Sequence, residues 1–336
     1  MSDTVRTQPD FSPELRQRAR ERIWVRDLEE ALGEVIVGQR RLVRTLLIGL
    51  LSGGHVLLEG VPGLAKSLAV SSLAQAVDGS FARIQFTPDL LPSDLVGTEI
   101  YDGRTSTFTP RRGPIFANFV LADEVNRAPA KVQSALLEAM QERQVSIGGQ
   151  SHPLPIPFLV LATQNPIDQE GTYQLPEAQL DRFALKAVLG YPDPAEELLI
   201  LNRMARTKGP PPVRRVVDLD TLLAARDEVD AVVLDPRLAE YIVRVVHATR
   251  YPRQCGLPEL EGQIRVGASP RASITLALCA RAEAFLEGRE FATPSDIKRV
   301  APEVLRHRVL PTYEAEAAGR DAEEIVRRVL ESVPVP

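Results

Sequence analysis

The sequence predicts an α/β fold: a parallel sheet flanked by helices, followed by a smaller all-helical unit. Two patterns carry that prediction. Up to about residue 190, short apolar strands alternate with helical periods: HVLLE (55–59), FARIQF (81–86), FVLAD (119–123), FLVLAT (158–163) and FALKAVL (183–189). Near-continuous apolar strands separated by helices belong to parallel sheets covered on both faces. After Tyr191-Pro192 only helical periods follow, so the boundary is expected near 190.

In chain order, residues 1–12 read as a disordered lead-in. Residues 13–33 carry apolar side chains at helical spacing, with Ser12 as a candidate cap and Pro13 at the first helical position. Gly38-Gln39 interrupts, and Arg40–Leu51 reads as a second helix stopped by Gly53-Gly54. Strand 55–59 leads into a turn and a helix over Ser67–Val77. Residues 87–113 are rich in Pro and Gly and predict a small hairpin. Ala130–Glu142 is a strongly periodic helix, and 144–155 predicts a hairpin around Gly148-Gly149. Beyond 190, helices are expected at about 194–206, 219–229, 236–250, 269–287, 294–306 and 319–331.

Composition excludes several classes. The chain has 336 residues, 44% apolar and 25% charged, with a net charge of -5. These are ordinary values for a globular protein and offer no global attraction for nucleic acid or anionic membranes. No apolar run reaches the roughly 18 residues of a membrane span, and the opening residues lack the apolar core of a secretory leader. Two cysteines, Cys255 and Cys279, make neither a disulfide framework nor a four-cysteine zinc site, so neutral thiols in a reducing cytoplasm are expected. Only five of the 40 basic residues are lysines, and one is Lys66. A compact ammonium fits between phosphate oxygens where a wide guanidinium fits poorly.

Lys66 closes GVPGLAKS, residues 60–67, which departs from the phosphate-loop pattern G-x-x-x-x-G-K-[ST] at one position: Ala65 stands where the second glycine is required. A glycine-rich turn between a buried strand and a helix presents backbone N–H groups and the helix dipole to phosphate. At a helical φ, alanine at 65 is acceptable, and Ala65→Gly is expected to leave nucleotide binding nearly unchanged. The alternative is a plain strand-to-helix turn.

Four further stretches add to it. FVLADE (119–124) ends a buried strand in two acids; Asp123 is expected to hold Mg²⁺ beside Ser67, and Glu124 to deprotonate an attacking water, the alternative being an ordinary strand end with acids at a helix start. Asn165 lies just past strand 158–163, where it reaches a γ-phosphate or simply turns the chain before Pro166. Arg182, in LPEAQLDRF, is a candidate for stabilising transition-state charge in trans, or a surface ion-pair partner of Asp181 or Glu177. Arg271 opens a long helix, where a cation is mildly unfavourable for the dipole; it has another task or is simply an exposed arginine.

These five elements in this order resemble the AAA+ ATPases and, more narrowly, the MoxR family, whose phosphate loop carries alanine at the position of Ala65. VIVGQ (35–39), FTPDLLPSDLVGTE (86–99), RRGPIFANFVLADEVNRAPAKVQSALLEAMQERQVSI (111–147), LATQNPIDQEGTYQLPEAQLDRF (161–183) and GASPRASITLALCARAEAFLEGREFATPSDI (267–297) carry the likeness. The resemblance implies a P-loop AAA+ module over 13–190, with a helix-2 insert at about 88–115 and a pre-sensor hairpin at about 144–156, and a helical lid over 191–336. It implies an adenine pocket at Val37 and Gly38, and a Walker A loop of Gly60, Val61, Pro62, Gly63, Leu64, Ala65, Lys66 and Ser67 running on to Leu68. Asp123 and Glu124 then match Walker B, Asn165 sensor 1, Arg182 the arginine finger and Arg271 sensor 2. ATP and Mg²⁺ are the implied cofactors.

The same resemblance implies a homo-oligomeric ring, usually a hexamer, hydrolysing ATP to mature or activate a client, often with a von Willebrand A domain protein and sometimes with metal insertion. The alternatives are a nucleic-acid motor or a metal-chelatase motor subunit. The acidic balance and the hairpin VSIGGQSHP, which has no Lys or Arg to grip phosphates, argue against nucleic acid.

Overall fold

The computed structural model describes residues 22–61, 63–165, 173, 175–205, 207 and 212–336. The expectations for 1–12, for Ser12, Pro13 and the first turns of the opening helix, and for Pro62 lie outside these residues.

In chain order the elements are α1 (Ile23–Val35), α2 (Arg40–Ser52), β1 (Val56–Glu59), α3 (Lys66–Ala76), β2 (Phe81–Gln85), α4 (Pro92–Val96), β3 (Gly97–Asp102), β4 (Thr107–Arg112), β5 (Phe119–Asp123), α5 (Ala130–Glu142), β6 (Gln144–Ile147), β7 (Gln150–Pro153), β8 (Leu159–Gln164), α6 (Glu177–Leu180) and β9 (Leu185–Val188). There follow α7 (Pro194–Met204), α8 (Leu219–Ala231), α9 (Pro236–Arg250), β10 (Ile264–Val266), α10 (Pro270–Leu286), α11 (Pro294–Leu305), β11 (Leu310–Pro311), α12 (Tyr313–Ala317) and α13 (Ala322–Ser332).

Strands β2, β5, β8, β1 and β9 form, in that spatial order, a five-stranded sheet, and every pairing in it is parallel. Successive side chains of a strand point to opposite faces, and both faces here are covered, which is why the strands read as unbroken apolar runs. Leu58, Phe119, Leu121, Leu159 and Leu161 enter one core with α1, α2 and α3. Leu57, Val120, Ala122, Val160 and Ala162 enter a second core with α5 and the β6–β7 hairpin.

The first core continues without a break into the C-terminal helices: α2 packs against α8 and α10, whose Leu222, Val229, Leu276 and Phe285 belong to it. An ion cluster joins the same helices. Glu283, fully buried on α10, accepts hydrogen bonds from Arg44 of α2 at 2.8 Å and from Arg299 of α11 at 2.6 Å. Arg44 extends the network to Glu29 of α1 at 2.7 Å.

The C-terminal part is not wholly helical. Ile264–Val266 pairs antiparallel with Leu310–Pro311. Segments of three and two residues, one holding a proline, carry too little alternation to stand out from the loops around them. In the first half, Leu91 caps a short helical turn, α4, inside the stretch expected to hold a small hairpin.

His55 and His307 are buried beneath this frame. His55 Nδ1 accepts the Val160 N–H at 2.9 Å and its Nε2 meets the Met140 carbonyl at 3.1 Å, so burial, aided by Arg143, pushes its pKa down to about 3. Burial also holds His307 well below its usual value. In the unfolded chain both bind protons near the ordinary value of about 6.5. Stability is therefore undiminished above that pH and is lost as the pH falls toward 3, at up to about 1.4 kcal/mol per pH unit for each histidine. Urea unfolding at a series of pH values should show this slope; a flat profile between pH 7 and 5 would mean the two rings are not held neutral.

Candidate functional site

Parallel pairing puts the carboxyl ends of β1, β5 and β8 at one edge of the sheet. β1 delivers the turn 60–65, β5 delivers Asp123 and Glu124, and β8 delivers Gln164 and Asn165. Ligand crevices of open parallel sheets lie outside these ends.

In the turn, Gly60 is buried against Leu189, whose Cβ and carbonyl oxygen would both lie 3.0 Å from an added methyl. Gly63 has φ +90°. Val61 and Leu68 are half-buried, Leu64 is buried, and α3 starts at Lys66. Ala65 is not helical, as its tolerance was expected to require. It has φ 54° and ψ 22°, in the left-handed region, as the residue that caps α3. The glycine of the general pattern therefore meets a real backbone demand, and alanine occupies the position under strain of about 1–2 kcal/mol.

The Lys66 ammonium donates to the Gly60 carbonyl at 2.6 Å. Burial lowers its pKa, opposed by the negative charge of Asp123, Glu124 and Glu59. Ser67 follows in the first turn of α3.

Asp123 is 8% exposed and is held on both oxygens. Thr163, fully buried on β8, donates its hydroxyl to Oδ1 at 2.6 Å, and Arg83 of β2 donates to Oδ2 at 2.6 Å. Thr163 Oγ1 also accepts the N–H of Glu124 at 2.8 Å, so one hydroxyl fixes both acids. Glu124 adopts φ 57°, a second left-handed non-glycine residue at this edge. Its Oε2 accepts from Gln85 at 3.1 Å and from Arg127 at 2.8 Å. Arg83, Gln85, Arg127 and Thr163 were not singled out by sequence reasoning. Thr163 alone left a trace, as the polar end of FLVLAT; the others sit at positions typical of solvated strand and turn faces.

Arg182 and Arg271 are not at this edge. The Ala184 N–H bonds the carbonyl of His55 at 2.9 Å, which places the segment before β9 beside the start of β1. The four residues of β1 span about 13 Å, so Arg182 lies at the amino edge, across the sheet from Lys66. No ion pair of Arg182 is found among the described residues; Asp181 and Glu177, its alternative partners, pair with Arg308, Arg271 and Arg265.

Asp181 is instead the anchor of the C-terminal helices. Arg308 Nε donates to its Oδ1 at 2.7 Å, Ser269 Oγ donates to its Oδ2 at 2.9 Å, and Arg271 Nη1 stands 3.8 Å from Oδ2. The carboxylate offsets the unfavourable position of Arg271 in the first turn of α10. Arg182, Arg271, Ile274 and Met140 together line a cavity of about 230 Å³.

Val37 and Gly38 line a different and larger cavity, of about 850 Å³, with residues of α1, α2, α7, α10 and α11; none of residues 60–68 lines it. Gly38 has φ +74°, and an added Cβ would stand 2.6 Å from a Glu196 carboxylate oxygen. Among the described residues no cluster of three or more His, Cys, Asp or Glu is placed to hold a metal.

Known proteins share this fold. A family model described as the ATPase family associated with various cellular activities (AAA) matches residues 55–185, and an AAA lid domain model matches residues 260–329. The chain is 52% identical over 315 residues to Chaperone MoxR1 of Mycobacterium tuberculosis, covering 93% of this chain and 83% of that protein. It is 32% identical over 325 residues to Protein MoxR of Methylorubrum extorquens, covering 92% of this chain and 94% of that one. A crystal structure of a candidate ATPase from Cytophaga hutchinsonii superimposes with a TM-score of 0.90 at 48% identity, covering 97% of this chain and 100% of that one. Fold and matches together define an AAA+ module with a helical lid. The chain belongs to the MoxR family of AAA+ ATPases.

Two substitutions test the local geometry. Ala65→Gly should raise the unfolding free energy by up to about 1 kcal/mol, because it relieves a left-handed alanine; a loss of similar size would return Ala65 to a helical φ. Thr163→Val strands the Asp123 carboxylate oxygen and the Glu124 N–H, and should cost about 1–3 kcal/mol in chemical denaturation.

Proposed function

We propose that this chain is an ATP hydrolase that works as a homo-oligomeric ring to remodel a partner protein. The observation that carries the reading is the division of its charged groups between opposite edges of one sheet. The phosphate loop and the acids stand at the carboxyl edge, and Arg182 and Arg271 at the amino edge, where they cannot reach nucleotide bound by their own chain.

In this reading residues 13–190 are the ATP-binding module and 191–336 the lid. Backbone N–H groups of 60, 61 and 63–67 and the Lys66 ammonium bind the phosphates of ATP. The donor set fits Mg²⁺, a hard cation that keeps much of its shell for water and phosphate and asks for few protein oxygens. Ser67 and Asp123 would hold it, and it would neutralise charge building on the transferred phosphoryl group. Glu124 takes the proton of the attacking water, and Asn165 holds the γ-phosphate or that water in line. Arg182 and Arg271 of a neighbouring copy complete the site.

An arginine supplied in trans stabilises transition-state charge and makes hydrolysis depend on assembly. Turnover is then spent on a protein client, in company with a von Willebrand A domain partner. The net charge of -5 and the absence of Lys and Arg from the β6–β7 hairpin favour protein over nucleic acid.

Glu124→Gln should bind ATP and lose turnover by at least about 100-fold, the usual scale for a general base. Unchanged turnover removes Glu124 from the chemistry. Arg182→Ala should lose activity while keeping ATP affinity, and mixing it with Lys66→Ala protein should restore part of it. No recovery in mixed assemblies of verified composition counts against a shared site. A pull-down with Glu124→Gln in ATP, read by mass spectrometry, tests for the client.

A further inference from the structure

Two cations meet the two acids at the carboxyl edge, and they do so differently. Arg127 meets Glu124 from three residues along the same turn. Arg83 comes from a separate strand, and its Nε and Nη2 converge on Asp123 Oδ2 at 3.2 and 2.6 Å. Oδ1 takes the Thr163 hydroxyl, so protein donors engage both oxygens of this carboxylate. The two donors are not equally fixed. Thr163 is fully buried on a central strand. The Arg83 side chain is 54% exposed, and Gln85 Oε1 lies 3.4 Å from its Nη2 as a second acceptor on the same strand. Rotation of a single exposed side chain frees Oδ2.

We propose that Arg83 is a built-in competitor of Mg²⁺ for Asp123. The proposal rests on the reading of residues 60–67 and Asp123 as a Mg²⁺–ATP site. A guanidinium fork and a hydrated divalent cation seek the same carboxylate lone pairs, and a charge-assisted pair to arginine is among the stronger hydrogen bonds a protein makes. The two cations also repel each other, and the Lys66 ammonium is already close enough to feel Asp123. Metal uptake therefore displaces Arg83 from Oδ2, toward Gln85 or solvent.

Two consequences follow for the site. With Arg83 on Asp123 and Arg127 on Glu124, the adjacent acids are neutralised without metal. The metal is also admitted most readily with the negative charge of nucleotide phosphates, which offsets the loss of the Arg83 pair, so the site favours metal–nucleotide over free Mg²⁺.

The test uses the full chain carrying Glu124→Gln, so that no turnover intervenes. Binding of a fluorescent ATP analogue is followed while free Mg²⁺ is raised, with Arg83 intact, with Arg83→Gln and with Arg83→Lys. Arg127→Gln is the control of equal charge, and circular dichroism checks the fold of each variant. Arg83→Gln should lower the half-saturating Mg²⁺ about tenfold, as expected for loss of one charge-assisted pair, and leave affinity for the analogue in EDTA within about twofold. Arg83→Lys, which keeps the charge without the fork, should fall between.

An unchanged or increased Mg²⁺ requirement in Arg83→Gln overturns the proposal. So does an equal shift in Arg127→Gln, which would mark general electrostatics instead of competition at Asp123. If the analogue fails to bind any variant, with or without metal, the nucleotide reading itself falls and takes this proposal with it. If binding is intact but indifferent to Arg83, the proposal falls alone.

Discussion

The parallel hydrogen-bond ladder of β5, β8 and β1 is the constraint on which the rest of this molecule depends. In an antiparallel sheet consecutive strand ends alternate between edges. In a parallel one every carboxyl end falls on the same side, so three segments far apart in sequence (60–67, 123–124 and 164–165) are gathered by the pairing of the strands that precede them. The ladder requires burial of both sheet faces, because crossover helices cover them. That explains why Leu57 and Leu58, or Val120 and Leu121, neighbours in sequence, belong to different cores.

Polarity also separates what it does not gather. Whatever precedes β9 must start at the amino edge, and that is where Asp181 and Arg182 lie. The clamp of Arg308 and Ser269 on Asp181 then brings the first turn of α10, with Arg271, to the same place. The Arg308 side chain is 2% exposed, and its guanidinium also donates to the carbonyls of Phe183 and Ala184. Burial lowers its pKa against the opposing pull of Asp181, yet an arginine so well supplied with acceptors remains charged. The C-terminal helices are thus seated on the sheet edge by a buried ion pair with its remaining donors satisfied, the arrangement in which such a pair escapes most of its desolvation cost.

Much of this was legible in the sequence because the signals were of the kind that survive folding. Strand 119–123 and helices 130–142 and 236–250 match their periodicity to the residue. What escaped was of two kinds. The β10–β11 ribbon is too short to show a period. The partners of the acids are invisible for a different reason: Arg83 and Gln85 alternate along β2 as ordinary outward-facing polar residues, and nothing local says that β5 lies beside them. Strand order is a tertiary fact, and the ion pair with Asp123 exists only because β2 is the edge neighbour of β5. Arg182 and Arg271 show the complement of this. Both stood out in sequence, but the edge they occupy followed from tertiary contacts: the β1–β9 pairing for Arg182 and the Asp181 clamp for Arg271.

Of the five left-handed non-glycine residues among the described residues, the two at the carboxyl edge, Ala65 and Glu124, tie this frame to chemistry. A non-glycine residue in that region costs about 1–2 kcal/mol and persists only where its surroundings over-determine it. For Glu124 the surroundings are visible. Its N–H is held by Thr163, its carbonyl accepts the Arg127 N–H at 2.9 Å, and its carboxylate is held by Gln85 and Arg127. An ordinary β-conformation would carry the chain straight on from β5 and take the carboxylate away from the edge where β1 delivers Lys66. For Ala65 the turn is closed by different means: Gly60 pressed against Leu189, the Lys66 ammonium on the Gly60 carbonyl, and the first helical bond of α3, from the Ala69 N–H to the Ala65 carbonyl at 2.9 Å. Glu124 turns the chain at the end of β5, Ala65 turns it into α3, and both stand against the sheet behind them. At these two positions the same packing that makes the strands rigid supplies the free energy that bends the chain beyond them.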